Sequence, residues 1–273
     1  MYEWLSPKMG EIYDDFEAGR AERELLRARI AGAILVQADD NEQDSLHMFS
    51  AADTHDWVLG VVAWIPLERT SEADALLDVW SRQETFCGIR QLVHDDPRQG
   101  FWDFPEVNQT AELLARRRIP LDVPDAWPRD LASLVNFAQR HPELVIVIDH
   151  LGKPPIESEE LEGWKAVFRE LGGLENIVVK FSGLHHPNRR FNAEGVQGLF
   201  DISLEVFGPQ RMMVGSDWPI SLPSGGYVPT WATIRQLLNP LSPAERDAIE
   251  AGTAKGVYGR SNRIANMSEK ETL

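Results

Sequence analysis

Short apolar, β-branched runs alternate with segments of helical spacing from residue 33 onwards, and no other feature of the sequence restricts the fold as strongly. The runs are AILVQ (33–37), WVLGVVAWI (57–65), FCGIRQLV (86–93), IPLDV (119–123), LVIVID (144–149), NIVVKF (176–181) and RMMVG (211–215). They are nearly continuous in apolar residues rather than alternating, which is the pattern of strands buried on both faces. Helical spacing fills the intervals 42–54, 71–83, 106–118, 130–141, 158–172 and 192–207, with a further pair over about 230–252. Strand followed by helix throughout implies a parallel sheet covered by helices. No linker, low-complexity tract or repeat breaks the pattern, so one domain over 1–273 is expected, with an irregular segment at 1–16 and a flexible tail at 261–273.

The strand count separates two architectures. A (β/α)8 barrel needs one more strand before the first helical segment, at about 17–31. An open doubly wound sheet needs a topological switch point and usually a glycine-rich phosphate turn after its first strand. The segment after AILVQA is DDNEQD, which cannot cradle a phosphate. The expectation is therefore an α/β (β/α)8 barrel of the TIM type with its first strand missing from this chain.

Charge and cysteine content narrow the partners. The 273 residues hold 27 Lys and Arg against 43 Asp and Glu, a formal charge of -16. Such a surface repels both a phosphate backbone and an anionic membrane, so neither nucleic acid nor membrane is an expected partner. Cys87 is the single cysteine, which precludes an internal disulfide and fits a cytoplasmic protein. No basic-then-apolar leader opens the sequence, and no apolar run approaches the ~20 residues that span a bilayer.

In a barrel the active site gathers at the carboxyl ends of the strands. The polar residues there are Gln37, Arg90, His94, Asp122, Asp149, His150, Lys180, Ser182 and Asp217. Asp217 ends an apolar strand in MMVGSDWP, where Pro219 restricts the backbone behind it. An acid with apolar flanks gains proton affinity, unless cations hold it ionised, and suits a general base; the alternative role is an N-cap. His150 ends LVIVIDH, before a turn fixed by glycine and two prolines; its neighbour Asp149 is expected to point the other way along the pleat and to be structural. Arg90, Lys180 and, more weakly, His94 would line the mouth with positive charge for a carboxylate or an oxyanion, or pair with nearby acids.

Four of these motifs occur in order on successive strands: GIR (88–90), DHLGKPP (149–155), VKFSGL (179–184) and GSDWP (215–219). With YEWL (2–5) and TAKGVYG (253–259), they resemble the amidohydrolase-related family of sugar-acid lactonases, which includes L-fuconolactonases and L-rhamnonolactonases. The resemblance spans residues 2–260. It implies a barrel that adds water to a small carbonyl compound, usually a lactone. Asp217 matches the acid that takes a proton from the attacking water, His150 the histidine that contacts metal or substrate carbonyl, and Arg90 the arginine near the substrate.

One departure matters. The family carries a His-x-His pair at the end of its first strand, and the seven histidines here, at 47, 55, 94, 141, 150, 185 and 186, include no such pair. A catalytic zinc takes three protein ligands. Only His150 and Asp217 match, so no cofactor is certain and a single divalent metal, zinc, is the one candidate. The expected function is hydrolysis of a sugar-acid lactone, with Asp217 and His150 catalytic and Arg90, His94 and Lys180 binding substrate. The alternatives are a catalytically silent barrel that binds a sugar acid or a partner, and a hydrolase of a pyrone-dicarboxylate-type lactone or an amide. An in-frame strand ending in His-x-His upstream of Met1 would mark a misplaced start codon.

Overall fold

The computed structural model describes residues 2, 4–94, 96–185 and 191–266. Its seven strands are β1 (Ala33–Val36), β2 (Val58–Ala63), β3 (Phe86–Arg90), β4 (Leu121–Val123), β5 (Ile146–Ile148), β6 (Ile177–Phe181) and β7 (Met212–Val214). They form one sheet in sequence order, and every adjacent pair is parallel. The longer helices are α1 (Ala18–Ala28) before β1, α2 (Glu42–Thr54), α3 (Thr70–Trp80), α4 (Pro105–Arg117), α5 (Leu131–Arg140), α6 (Leu161–Gly172) and α7 (Ala193–Phe207) between the strands, and α8 (Tyr227–Leu238) after β7. Three short helices complete the order: α9 (Pro243–Asp247), α10 (Thr253–Tyr258) and α11 (Asn262–Ala265).

The pleat sorts the apolar residues into two layers. Val61, Ala63, Ile146, Ile148, Val179, Phe181 and Met212 pack outward against the helices, in a core that also takes Trp80, Trp102, Trp164 and Phe168. Val62, Cys87, Val147, Val178 and Met213 point inward, where Tyr258 and Ile264 from the C-terminal helices plug the floor. The sheet is thus curled around its own inner core, as the expected barrel requires. Cys87 lies fully buried in that inner layer, and burial raises its thiol well above the ordinary range.

The two ends of the sheet do not meet. Each of β1 and β7 pairs on one side only, and Ala33 to Val36 are all part-exposed. A cavity of about 1730 Å³ occupies the gap and runs into the inner core, touching Ile34, Val36, Met213, Gly215 and Tyr258. Residues 4–16 contribute a 3-10 turn (Pro7–Ile12) and no strand. They cross the carboxyl end of the gap: the Trp4 indole donates to the Ala38 carbonyl at 2.9 Å, and Phe16 packs edge-on against Trp218 at 5.1 Å.

The stretch expected to be a flexible tail is anchored over its described part. Arg263 donates to the carbonyls of Ala52, His55 and Val58, and Ile264 is buried. The arginine satisfies the open C-terminal carbonyls of α2, a role that the small, polar composition of the segment conceals. Residues 267–273 lie outside the described residues.

Candidate active site

The site is built from the residues just past the carboxyl end of each strand. β5 runs straight into a turn in which His150 (φ 54°), Leu151 (φ 55°) and Lys153 (φ 63°) all adopt left-handed backbone. Asp217, three residues past β7, is left-handed as well (φ 50°). Non-glycine residues there cost of order 1–3 kcal/mol each and cluster at functional sites. Here the turns carry both side chains into the same cavity. His150 Nε2 stands 3.7 Å from Asp217 Oδ1.

Among the described residues no hydrogen bond reaches the Asp217 carboxylate, and it caps no helix there. Its backbone carbonyl accepts from Ser221 N at 3.1 Å, which ties the turn down. His185 packs behind it, with Nε2 donating to the Ser216 carbonyl at 3.3 Å. Burial lowers the proton affinity of His185 despite the pull of Asp217.

His150 is held by β6. Its Nδ1 lies 2.9 Å from Ser182 Oγ, and its ring rests on Gly183, where a Cβ would come within 2.3 Å of Nδ1. Gly183 is left-handed at φ 61°. The parallel register brings these parts together, since Phe181 pairs with Val214 while Ile148 pairs with Val179.

Asp149 does not point away from the site. The left-handed turn at His150 replaces the next step of the pleat, so Asp149 and His150 line the same cavity. Asp149 accepts from Arg90 Nη1 at 2.9 Å and faces Lys180 Nζ at 2.8 Å. Lys180 also donates to Asp122, and the Tyr258 hydroxyl bonds both oxygens of Asp122 at 2.8 Å. Burial would raise Asp149, but Lys180 and Arg90 hold it well below the usual carboxylate range. Burial pushes Asp122 up to about 6 against the attraction of Lys180. At neutral pH two carboxylates therefore balance two cations inside the barrel, which is the condition under which such charges tolerate burial.

The cluster divides the residues expected to bind substrate. Lys180, one pleat step deeper than Ser182, is committed to Asp122 and Asp149, although it still borders the cavity. Arg90 and His94 line the cavity too. Arg90 Nη1 is spent on Asp149, while its buried Nε has no partner among the described residues. Gln37 lies outside the site and braces it, donating to Asp40 and to the Arg90 carbonyl.

His150 and Asp217 are the two candidate metal donors, and they are adjacent. Among the described residues no group of three or more His, Cys, Asp or Glu is placed to hold a metal ion. These residues therefore do not fit a three-ligand zinc centre by themselves. Nor is any helix long and apolar enough to cross a membrane, among the residues described.

An acid, a histidine and an arginine thus face one cavity at the carboxyl ends of a curled parallel sheet, the end at which barrel folds carry their active sites. The sequence pattern of the amidohydrolase family matches residues 5–260, and the chain belongs to that family. It is a hydrolase. It is 30% identical to an L-fucono-1,5-lactonase of Burkholderia multivorans, over 94% of this chain and 90% of that protein. An L-fucono-1,5-lactonase of Burkholderia ambifaria is 31% identical, over 82% of this chain and 77% of its own length. Among solved structures, an amidohydrolase from Burkholderia multivorans with bound zinc superposes with a TM-score of 0.85 at 27% identity, covering 94% of this chain and 93% of that one.

Proposed function

We propose that this chain opens a sugar-acid lactone by adding water to the ring carbonyl, with Asp217 as general base. The observation that carries the reading is the 3.7 Å approach of His150 Nε2 to Asp217 Oδ1 in a cavity that Arg90 also lines. A water beside Asp217 gives up a proton to the carboxylate as its oxygen attacks the carbonyl carbon. Proton transfer of this kind contributes roughly 10²–10⁴-fold. Arg90 and His150 face the negative charge that gathers on the carbonyl oxygen. Collapse of the tetrahedral intermediate breaks the ring C–O bond, and protonated Asp217 returns its proton to the departing alkoxide. The product is an open-chain hydroxy acid. The two curated relatives, both L-fucono-1,5-lactonases, support a deoxysugar acid as the first substrate to try.

A panel of aldonolactones and pyrones with a pH indicator tests this. Acid release from aldonolactones, lost in Asp217→Asn, is expected. Release from pyrones alone would move the substrate class, and release from neither would overturn the lactonase reading.

The gap between β1 and β7 supports a second reading: a (β/α)8 barrel one strand short, the vacant place being that of the strand before α1. A polypeptide carrying an additional parallel strand upstream of Tyr2 is expected to be more stable and more active. An extended protein no different in either respect would overturn it.

A further inference from the structure

We infer that Ser182 is a positioning residue that fixes the tautomer of His150, keeping the proton on Nε2 and turning the ring into a hydrogen-bond donor aimed into the cavity. The inference rests on the lactonase reading for its catalytic meaning but not for its structural test. Ser182 is 6% exposed, and among the described residues its hydroxyl has one partner, His150 Nδ1 at 2.9 Å. A neutral imidazole carries one N–H and one acceptor nitrogen, so the Ser182–His150 contact has two forms. If Nδ1 donated, the serine hydrogen would have no acceptor among the described residues. If the serine donates, every group in the contact is satisfied. Nδ1 is then the acceptor and Nε2 holds the proton.

The surroundings remove the ring's other choices. Gly183 lies flat beneath it, with no room for a Cβ, and the left-handed backbone at His150 fixes the direction from which the ring enters. A ring flip would place a carbon against the serine oxygen and lose the bond. With Nε2–H facing the cavity beside Asp217, the two groups take opposite parts: Asp217 accepts the proton of a water, and Nε2–H donates to the oxygen of the carbonyl under attack. The same arrangement explains why a serine stands just past the strand at 182. Alanine would fill the same space and leave the tautomer free.

The test is NMR of the full chain with 15N-labelled histidine, assigned with His150→Asn, alongside kinetics on the lactone found in the panel. Wild type is expected to show the tautomer with Nδ1 of His150 as acceptor and the proton on Nε2. Ser182→Ala should convert this to a mixture of tautomers and lower kcat roughly 10- to 100-fold, the range typical when a partner that orients a functional histidine is removed. KM should stay within about twofold, because the serine hydroxyl is spent on the His150 ring, and Ser182→Thr, which keeps the hydroxyl, should restore both tautomer and rate. A wild-type His150 carrying its proton on Nδ1 overturns the inference without any variant having to fold. So does a folded Ser182→Ala protein with an unchanged tautomer. An Nε2–H tautomer in a chain that opens no lactone would uphold the role of Ser182 and defeat the lactonase reading alone.

Discussion

Asp217 and His150 sit in backbone conformations that their side chains do not favour, φ 50° and 54°, and each has a neighbour that enforces it. This makes single substitutions informative. Asp217→Asn keeps size and hydrogen bonding but removes the proton acceptor. Turnover is expected to fall by about 10²-fold or more with the unfolding midpoint little changed, and near wild-type lactonase rates would place the base elsewhere. Arg90→Met and His150→Asn should each lower kcat/KM, because each removes a group facing the developing oxyanion; unchanged kinetics in both would relocate the pocket. Gly183→Ala introduces a Cβ at 2.3 Å from His150 Nδ1 on a left-handed residue. It should cost about 1–2 kcal/mol and displace the ring, seen as a lower denaturation midpoint together with a loss of kcat. The sequence marks Asp217 and His150 by their place at strand ends. It conceals their left-handed backbone, since neither is glycine, and it places Ser182 at a strand end without showing its partner, which is 32 residues away. The inward turn of Asp149 escaped the pleat rule because the strand ends at Ile148.

The strands were legible because each is an apolar run buried on both faces, although the ordered strands are shorter than the runs. LVIVID yields only Ile146–Ile148, since Val145 is exposed and Asp149 already turns. The helices were legible from their spacing, and the structure adds their caps. Asn41 and Asn192 accept from Asp44 N and Gly195 N at the starts of α2 and α7. Asn192→Ala should therefore destabilise by about 1 kcal/mol, measured by urea unfolding. What spacing could not show is that β3, β4, β5 and β6 contribute Arg90, Asp122, Asp149 and Lys180 to one charge cluster. Its members lie 27 or more residues apart along the chain, and only the register joins them. Asp149→Asn removes one acid and strands Arg90 and Lys180 together in the interior. The expected loss is about 3–5 kcal/mol, and a change below about 1 kcal/mol would show that water already screens the cluster.

On the scale of the whole molecule, the dominant feature is the unpaired β1–β7 gap. The amides of Ala33 and Gln37 bond to the carbonyls of Trp57 and Val62 on the β2 side, so by alternation those of Ile34 and Val36 face the gap. Hydrogen exchange should find Ile34 and Val36 far less protected than Leu35, and equal protection would mean that something already pairs the edge. The same picture bears on mechanics. A hoop cut at one point has a soft motion that an intact hoop lacks: its two ends can spread. Arg90, His150 and Asp217 all lie on the arc from β3 to β7, whose strands are hydrogen-bonded without interruption. Any such spreading would be borne by the links that bridge the cut, Arg235 to the Ala28 carbonyl at 2.6 Å and Phe16 against Trp218, while the spacing of the three groups is set by the unbroken arc.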